Sequence, residues 1–167
     1  MCTIIKKEEF KAWLKIFNSQ YSNNILFIER LVNPSLSTGW LSGFIDAVGC
    51  FTGRFNNCNT LGINKAPYLT FSIFQKEFDI LKIISEKLKF KNINYDKELD
   101  GWIFSCSSLT KLKLIINYLN RYNLKTKKSL AFTKWCKIFN IIIKKEHTNS
   151  VGLNKIDLLT KEINKYS

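Results

Sequence analysis

Gly39, Gly43 and Ala47 recur at every fourth position around a short, mostly apolar run, Trp40-Leu41-Ser42-Gly43-Phe44-Ile45-Asp46-Ala47-Val48. At 3.6 residues per turn they line one stripe of a helix from Gly39 to Ala47, capped by Ser37 or Thr38, where another backbone can approach closely. Directly afterwards the period changes, and Phe51, Gly53 and Phe55 alternate with Thr52, Arg54 and Asn56 as in a half-buried strand. A contact helix that runs straight into a strand constrains the fold more than any other feature of the chain. Its small-residue stripe has two readings, close packing inside one subunit or a seam with a second unit.

The remaining periods extend this pattern. After a loop from Asn57 to Lys65, Leu69, Phe71 and Ile73 alternate with Thr70 and Ser72; Phe78, Leu81, Ile84 and Leu88 then mark an amphipathic helix. Ile93 to Lys97 and Trp102 to Cys106 form a second hairpin about Leu99-Asp100-Gly101. Ser107 or Ser108 caps a helix from Leu109 to Tyr122, a long helix follows from Lys127 to Lys145, and Asn149 to Asn154 is a hinge before a short terminal helix. Upstream, Phe10, Trp13, Leu14 and Phe17 show helical spacing, continued by Ile25 to Leu31 and stopped by Asn33-Pro34-Ser35. The expected fold is α+β, a four-stranded antiparallel sheet backed by helices. It divides into a helical arm (1–35), a central domain (36–146) and a helical tail (147–167).

Composition narrows the function. The 167 residues, 46% of them hydrophobic, suffice for one core. Twenty-six Lys and Arg against thirteen Asp and Glu leave +13, spread along the whole chain; this favours a polyanion, nucleic acid ahead of an anionic membrane surface. No apolar run approaches the ~18 residues of a membrane span, and the start has no signal-peptide order. Five cysteines without a C-x-x-C pair, and the single histidine His147, predict reduced thiols and no structural zinc. Abundant Lys, Asn, Ile, Phe and Tyr have AT-rich codons, which points to an organellar, mitochondrial source.

Residues 40–51, Trp40 to Phe51, resemble the signature of the LAGLIDADG homing endonucleases, in the variant of organellar intron-encoded members. Phe71-Ser72-Ile73-Phe74-Gln75-Lys76 resembles that family's second strand and its polar end. Leu124 to Phe132 resembles the lysine-bearing segment before its last helix. The resemblance covers residues 36–146 and implies an αββαββα unit, paired through its motif helix as a homodimer or with a separate N-terminal half. The sheets of the two units would form a saddle on nucleic acid. Gly39, Gly43, Asp46 and Ala47 would then lie at the seam.

The resemblance also implies that a carboxylate at position 48 holds divalent metal between the scissile phosphates, and here that residue is Val48. Asp46, two residues back, points about 200° away on a helix; it is expected to accept hydrogen bonds from the partner rather than to bind metal. The expected result is a unit with no intact catalytic group and no metal, Mg²⁺ entering only if an active endonuclease forms with a partner half. Gln75, Lys76 and one of Lys125, Lys127 and Lys128 stand where the family keeps groups near the phosphates, with a solvated basic turn as the alternative. Strand alternation places Thr52, Arg54, Asn56, Tyr68, Thr70, Ser72 and Phe74 opposite the core. Arg and Asn there suit base edges of duplex DNA. Tyr68 and Phe74, with Tyr95 and Trp102, suit stacking on unpaired RNA bases, unless Trp102 covers the sheet edge. On balance the expectation is RNA, in a mitochondrial ribosome or other ribonucleoprotein or as an intron maturase, with duplex DNA as the alternative.

Overall fold

The computed structural model describes residues 4–28, 34–60, 63–163 and 165. In chain order these form α1 (Ile4–Gln20), α2 (Trp40–Val48), β1 (Gly49–Thr60), β2 (Ile63–Gln75), α3 (Phe78–Leu88), β3 (Ile93–Asp96), β4 (Gly101–Cys106), α4 (Leu109–Arg121), α5 (Lys128–Ile143), a single 3₁₀ turn (Glu146–Thr148) and α6 (Ser150–Glu162). The four strands make one antiparallel sheet in the order β1-β2-β4-β3, so that the two hairpins are joined by β2 and β4 at its centre. This is the expected α+β arrangement.

Period-two alternation builds the core. Phe51, Leu69, Phe71, Ile73 and Phe104 are all buried on one face of the sheet. The Phe51 ring sits 5.5 Å from Phe71 and 5.3 Å from both Phe132 and Trp135 of α5. The Trp135 indole also donates to the Thr52 carbonyl (3.1 Å), fixing α5 across β1. Ile80, Leu81, Ile84 and Leu88 close the core from α3, and Leu112, Ile115 and Leu119 from α4. Ile156 and Ile163 belong to it too, since α6 lies against α5 and β1.

Four local expectations are corrected. The first hairpin has no long loop, because β1 and β2 stay paired to Asn57↔Lys65 and Thr60↔Ile63. Residues 25–28 are not helical: Ser22 turns left-handed (φ 53°), and the Asn18 side chain binds both the amide and the carbonyl of Ile25, folding the chain back on α1. Residues 29–33 of the expected arm, Asn33 among them, lie outside the described residues. There is no hinge through Asn154; Asn149 caps α6, its Oδ1 accepting from the Gly152 amide at 2.8 Å.

The last correction concerns the start of α2. Its N-cap position is Gly39 rather than Ser37 or Thr38, although the Thr38 hydroxyl still accepts from the Trp40 amide (3.4 Å), and two tyrosines of the α4 segment hold this end of the helix. The Tyr118 hydroxyl accepts from the Ser42 amide (3.1 Å) and donates to the Thr38 carbonyl (2.7 Å), while the Tyr122 hydroxyl donates to the Ser37 carbonyl. Burial raises the Tyr118 phenol above its usual range, against the opposing pull of the Ser42 amide.

Candidate nucleic-acid interface

The face of the sheet turned from the core carries the polar half of each strand. Register pairs Thr52 with Thr70, Arg54 with Tyr68 and Cys50 with Ser72, and continues across β2 and β4 from Ser72 to Ser105. These side chains are exposed or half-buried, as alternation predicts. Neighbours tether them sideways: the Tyr68 and Ser107 hydroxyls lie 2.6 Å apart, the Thr70 hydroxyl is 3.4 Å from that of Ser107, and Asn92 donates to Ser105 (2.9 Å). Arg54 has no hydrogen bond or ion pair among the described residues, so its guanidinium is free to engage something outside the chain.

The aromatic part of the expected surface is different. Tyr95 and Trp102 pair with each other and with Gln75, and the alternation that buries Phe104 puts all three on the helix side of the sheet. The Trp102 ring packs 4.7 Å from Phe78 of α3 and 5.1 Å from Tyr95, whose hydroxyl donates to Asp100 at 2.5 Å. Trp102 therefore packs between α3 and β3 on the helix side of the sheet. Phe74 does face outward, but it is half-buried against Gly101, where an added Cβ would stand 2.5 Å from the ring. Tyr68, 40% exposed, is the aromatic ring that this face still displays among the expected four.

The exit of α2 meets the segment before α5. Within the chain, Asp46 Oδ2 accepts from the Lys125 amide (2.6 Å), and Oδ1 from the Thr126 hydroxyl (2.7 Å) and amide (3.4 Å). Among the three lysines, Lys128 is set apart. Its ammonium donates to the Ile45 carbonyl at 3.0 Å, and burial pulls it below the usual lysine value, against the raising influence of Asp46 and Cys50. Lys125 and Lys127 are exposed, as is Lys76 just beyond β2. Val48 packs half-buried against the core.

This donor set does not fit a divalent ion held by this chain alone. The side chain at position 48 has no lone pair, the Asp46 carboxylate two residues before it already accepts three hydrogen bonds, and no three His, Cys, Asp or Glu side chains converge among the described residues.

Along α2 the stripe is bare. A Cβ at Gly43 would meet nothing within 4 Å and Ala47 is exposed, so among the described residues nothing packs on these two positions; Gly39 approaches a ring, that of Tyr122. A groove of about 350 Å³ runs beside them, lined by Gly39, Ser42, Gly43 and Asp46 of α2 and by Arg121, Tyr122, Asn123 and Lys125.

The profile of the LAGLIDADG endonuclease family matches residues 41–139, which span α2 to α5. This chain belongs to that family. Among curated relatives, Neurospora crassa probable intron-encoded endonuclease 4 is 36% identical over 96% of this chain and 29% of its own length. A Schizosaccharomyces pombe cox1 intron-2 protein is 32% identical over 74% of this chain and 37% of its own length. The Mycosarcoma maydis probable intron-encoded DNA endonuclease aI1 is 32% identical over 51% of this chain and 72% of its own. The chain thus spans about a third of the first two relatives.

Two solved structures show the same LAGLIDADG fold. I-SmaMI bound to cleaved DNA superposes with a TM-score of 0.74 at 20% identity, over 90% of this chain and 52% of that one. I-TnaI superposes with a TM-score of 0.72 at 24% identity, over 81% and 92%.

Sequence reasoning missed three groups on the outer face and its rim, Ser105, Ser107 and Asn92. Ser105 had a signal, since it alternates with buried Phe104 and Cys106. Ser107 and Asn92 lie just outside strands, where periodicity says nothing about direction.

Proposed function

We propose that this LAGLIDADG chain is a DNA-holding unit. It lays the outer face of its sheet on a duplex, meets base edges with Thr52, Arg54, Asn56, Tyr68, Thr70 and Ser72, and meets phosphates with Lys76, Lys125, Lys127 and Lys128. It brings no metal-holding carboxylate of its own. The observation that carries this reading is the exit of α2, where Val48 packs on the core and Asp46 is engaged by Lys125 and Thr126. The net charge of +13 supports the polyanion. The names of the relatives support DNA and an intron-borne, organellar origin.

RNA is the less favoured substrate. A role in a mitochondrial ribonucleoprotein or as a maturase called for a stacking platform, and with Tyr95 and Trp102 behind the sheet and Phe74 against Gly101 that platform shrinks to Tyr68. The second functional reading is an active, Mg²⁺-dependent, site-specific endonuclease formed with a partner half that supplies the missing acid. Its support is the word endonuclease in the relatives' names.

The test is a gel-shift titration of the purified chain on organellar intron-flanking duplex and on the matching RNA, each with Mg²⁺ and with EDTA. Duplex binding is expected to be tighter than RNA binding and indifferent to the metal, with no double-strand cut. Val48→Asp and Val48→Glu should make binding respond to Mg²⁺. Replacing Lys125, Lys127 and Lys128 together by Met should lower the slope of log affinity on log salt by up to about two to three units. A discrete cut by the chain alone would overturn the reading, as would preference for RNA.

A further inference from the structure

The helices behind the sheet carry a basic groove that a duplex on the outer face of the sheet cannot share. Lys137, Asn140 and Lys144 of α5 line it, with buried Ile141, Glu146 of the 3₁₀ turn and Lys155 of α6, around a volume of about 340 Å³. Residues 137, 140 and 144 follow one another at helical spacing on the face of α5 opposite the one that buries Trp135, Ile138 and Ile142. The groove therefore opens away from the sheet. At least the width of a helix, about 10–12 Å, separates it from anything lying on the other side.

Its positive charge is not compensated within the chain. From residue 128 to residue 165 there are eight lysines and three acids. Each acid already has a lysine: Glu162 pairs with Lys134 at 3.6 Å, Asp157 with Lys161 at 2.5 Å, and Glu146 with Lys144 at 4.0 Å. Lys137 and Lys155 have no ion pair or hydrogen bond among the described residues. The groove thus sets three ammonium groups against one carboxylate, and that one at the outer limit of an ion pair. Two features select the ligand. The cations are all lysines, point charges on flexible stems that can follow a row of phosphates without a fixed geometry. No aromatic ring is among the lining residues, so the groove has no platform for unpaired bases.

We infer that this groove is a second site for phosphodiester backbone, taking a paired nucleic acid, DNA or RNA, so that one chain holds two segments at once. One segment lies in front of the sheet and the other behind α5 and α6. The holding of two segments rests on the reading that the outer face binds a duplex; the groove itself does not.

In the experiment, a biotinylated intron-flanking DNA duplex on a sensor surface is loaded with the full chain, and a second duplex, DNA or RNA, is passed over it. The wild type should capture the second duplex, with a slope of log affinity on log salt of about two to three units. Lys137→Gln/Lys144→Gln/Lys155→Gln should load as the wild type does and capture at least about tenfold less tightly, whereas Glu146→Gln should capture more tightly. The triple Met variant at Lys125, Lys127 and Lys128 should load less but capture equally per chain loaded. Unchanged circular dichroism establishes that each variant folds.

No capture by the wild type, or undiminished capture by the triple Gln variant, would overturn the groove as a site. Displacement of the second duplex by polyglutamate as effectively as by duplex of equal charge would overturn phosphate as its ligand. Loading lost in the triple Gln variant but kept in the triple Met variant would leave the groove standing and overturn the outer-face reading instead. Capture of either duplex supports the site, and the tighter of the two identifies the source of the backbone.

Discussion

The two faces of the sheet are made from the same strands and behave as two different materials. Behind the sheet, Phe51, Phe71, Phe104 and Trp135 are all but inaccessible, and each aromatic ring touches another. In front, Thr52, Thr70, Ser72 and Ser105 are half-buried, and Arg54 and Asn56 are open. The first face specifies where the backbone goes, and its stability comes from apolar burial and close packing. The second contributes little to that burial, which leaves its side chains available for recognition. One residue of register separates the two roles, since a slip by one would exchange every side chain between them.

The sharpest way to break this comparison is to truncate one residue on each face. Trp135→Ala removes the largest fully buried side chain together with its hydrogen bond to the Thr52 carbonyl, and should lower unfolding free energy by about 3–5 kcal/mol in a urea titration. Arg54→Ala, opposite Tyr68 on the outer face, should change it by less than about 0.5 kcal/mol. Comparable losses at the two positions would mean that the outer face is part of the stabilising core after all.

Gly101 sharpens the comparison, because there the front face behaves like the back. A methyl group on its Cα would lie 2.5 and 2.6 Å from Phe74 ring carbons and 3.1 Å from the Gln75 carbonyl. Gly101→Ala should therefore cost about 1–3 kcal/mol through displacement of Phe74 and the end of β2. In a Phe74→Ala background most of that loss should disappear. The double-mutant cycle measures the coupling, and additive effects would place the Phe74 ring elsewhere.

What was legible in the residues follows the strength of their period. Phe51-Gly53-Phe55 and Leu69-Phe71-Ile73 predict their faces correctly, and Phe78 to Leu88 predicts its helix, because in each the apolar residues repeat at one spacing over several positions. Trp102 was legible too: it shares its parity with buried Phe104 and Cys106, although aromatic character alone pointed to a stacking surface. The caps of α2 by Tyr118 and Tyr122 and the tie from Asp46 to residues 125 and 126 were not legible. They join positions some 80 residues apart, and no local pattern records a contact made only when α4 and α5 close on α2. The break after α1 was hidden for a related reason, since Ile25 to Leu31 has helical spacing but Asn18 captures the Ile25 backbone first.

A smaller difference between the faces is chemical. Cys50 lies exposed on the front and Cys136 behind, on α5, where burial pushes its thiol up from 9.0 to about 12. Only a thiolate alkylates readily. At pH 8, peptide mapping should find Cys50 modified by iodoacetamide while Cys136 stays protected until the chain unfolds. The raised value also fixes a sign. The unfolded chain gives up the Cys136 proton near pH 9 and the folded chain only near 12, so the stability this thiol supplies is complete below pH 9 and lost between about 9 and 12. Lysines and tyrosines titrate in the same window, so the measurement is the difference between wild type and Cys136→Val in urea midpoints at pH 8 and pH 10.5. The wild-type midpoint should fall further. Equal falls would mean that Cys136 ionises in the folded chain as easily as in the unfolded one, and that the back of the sheet admits water at this point.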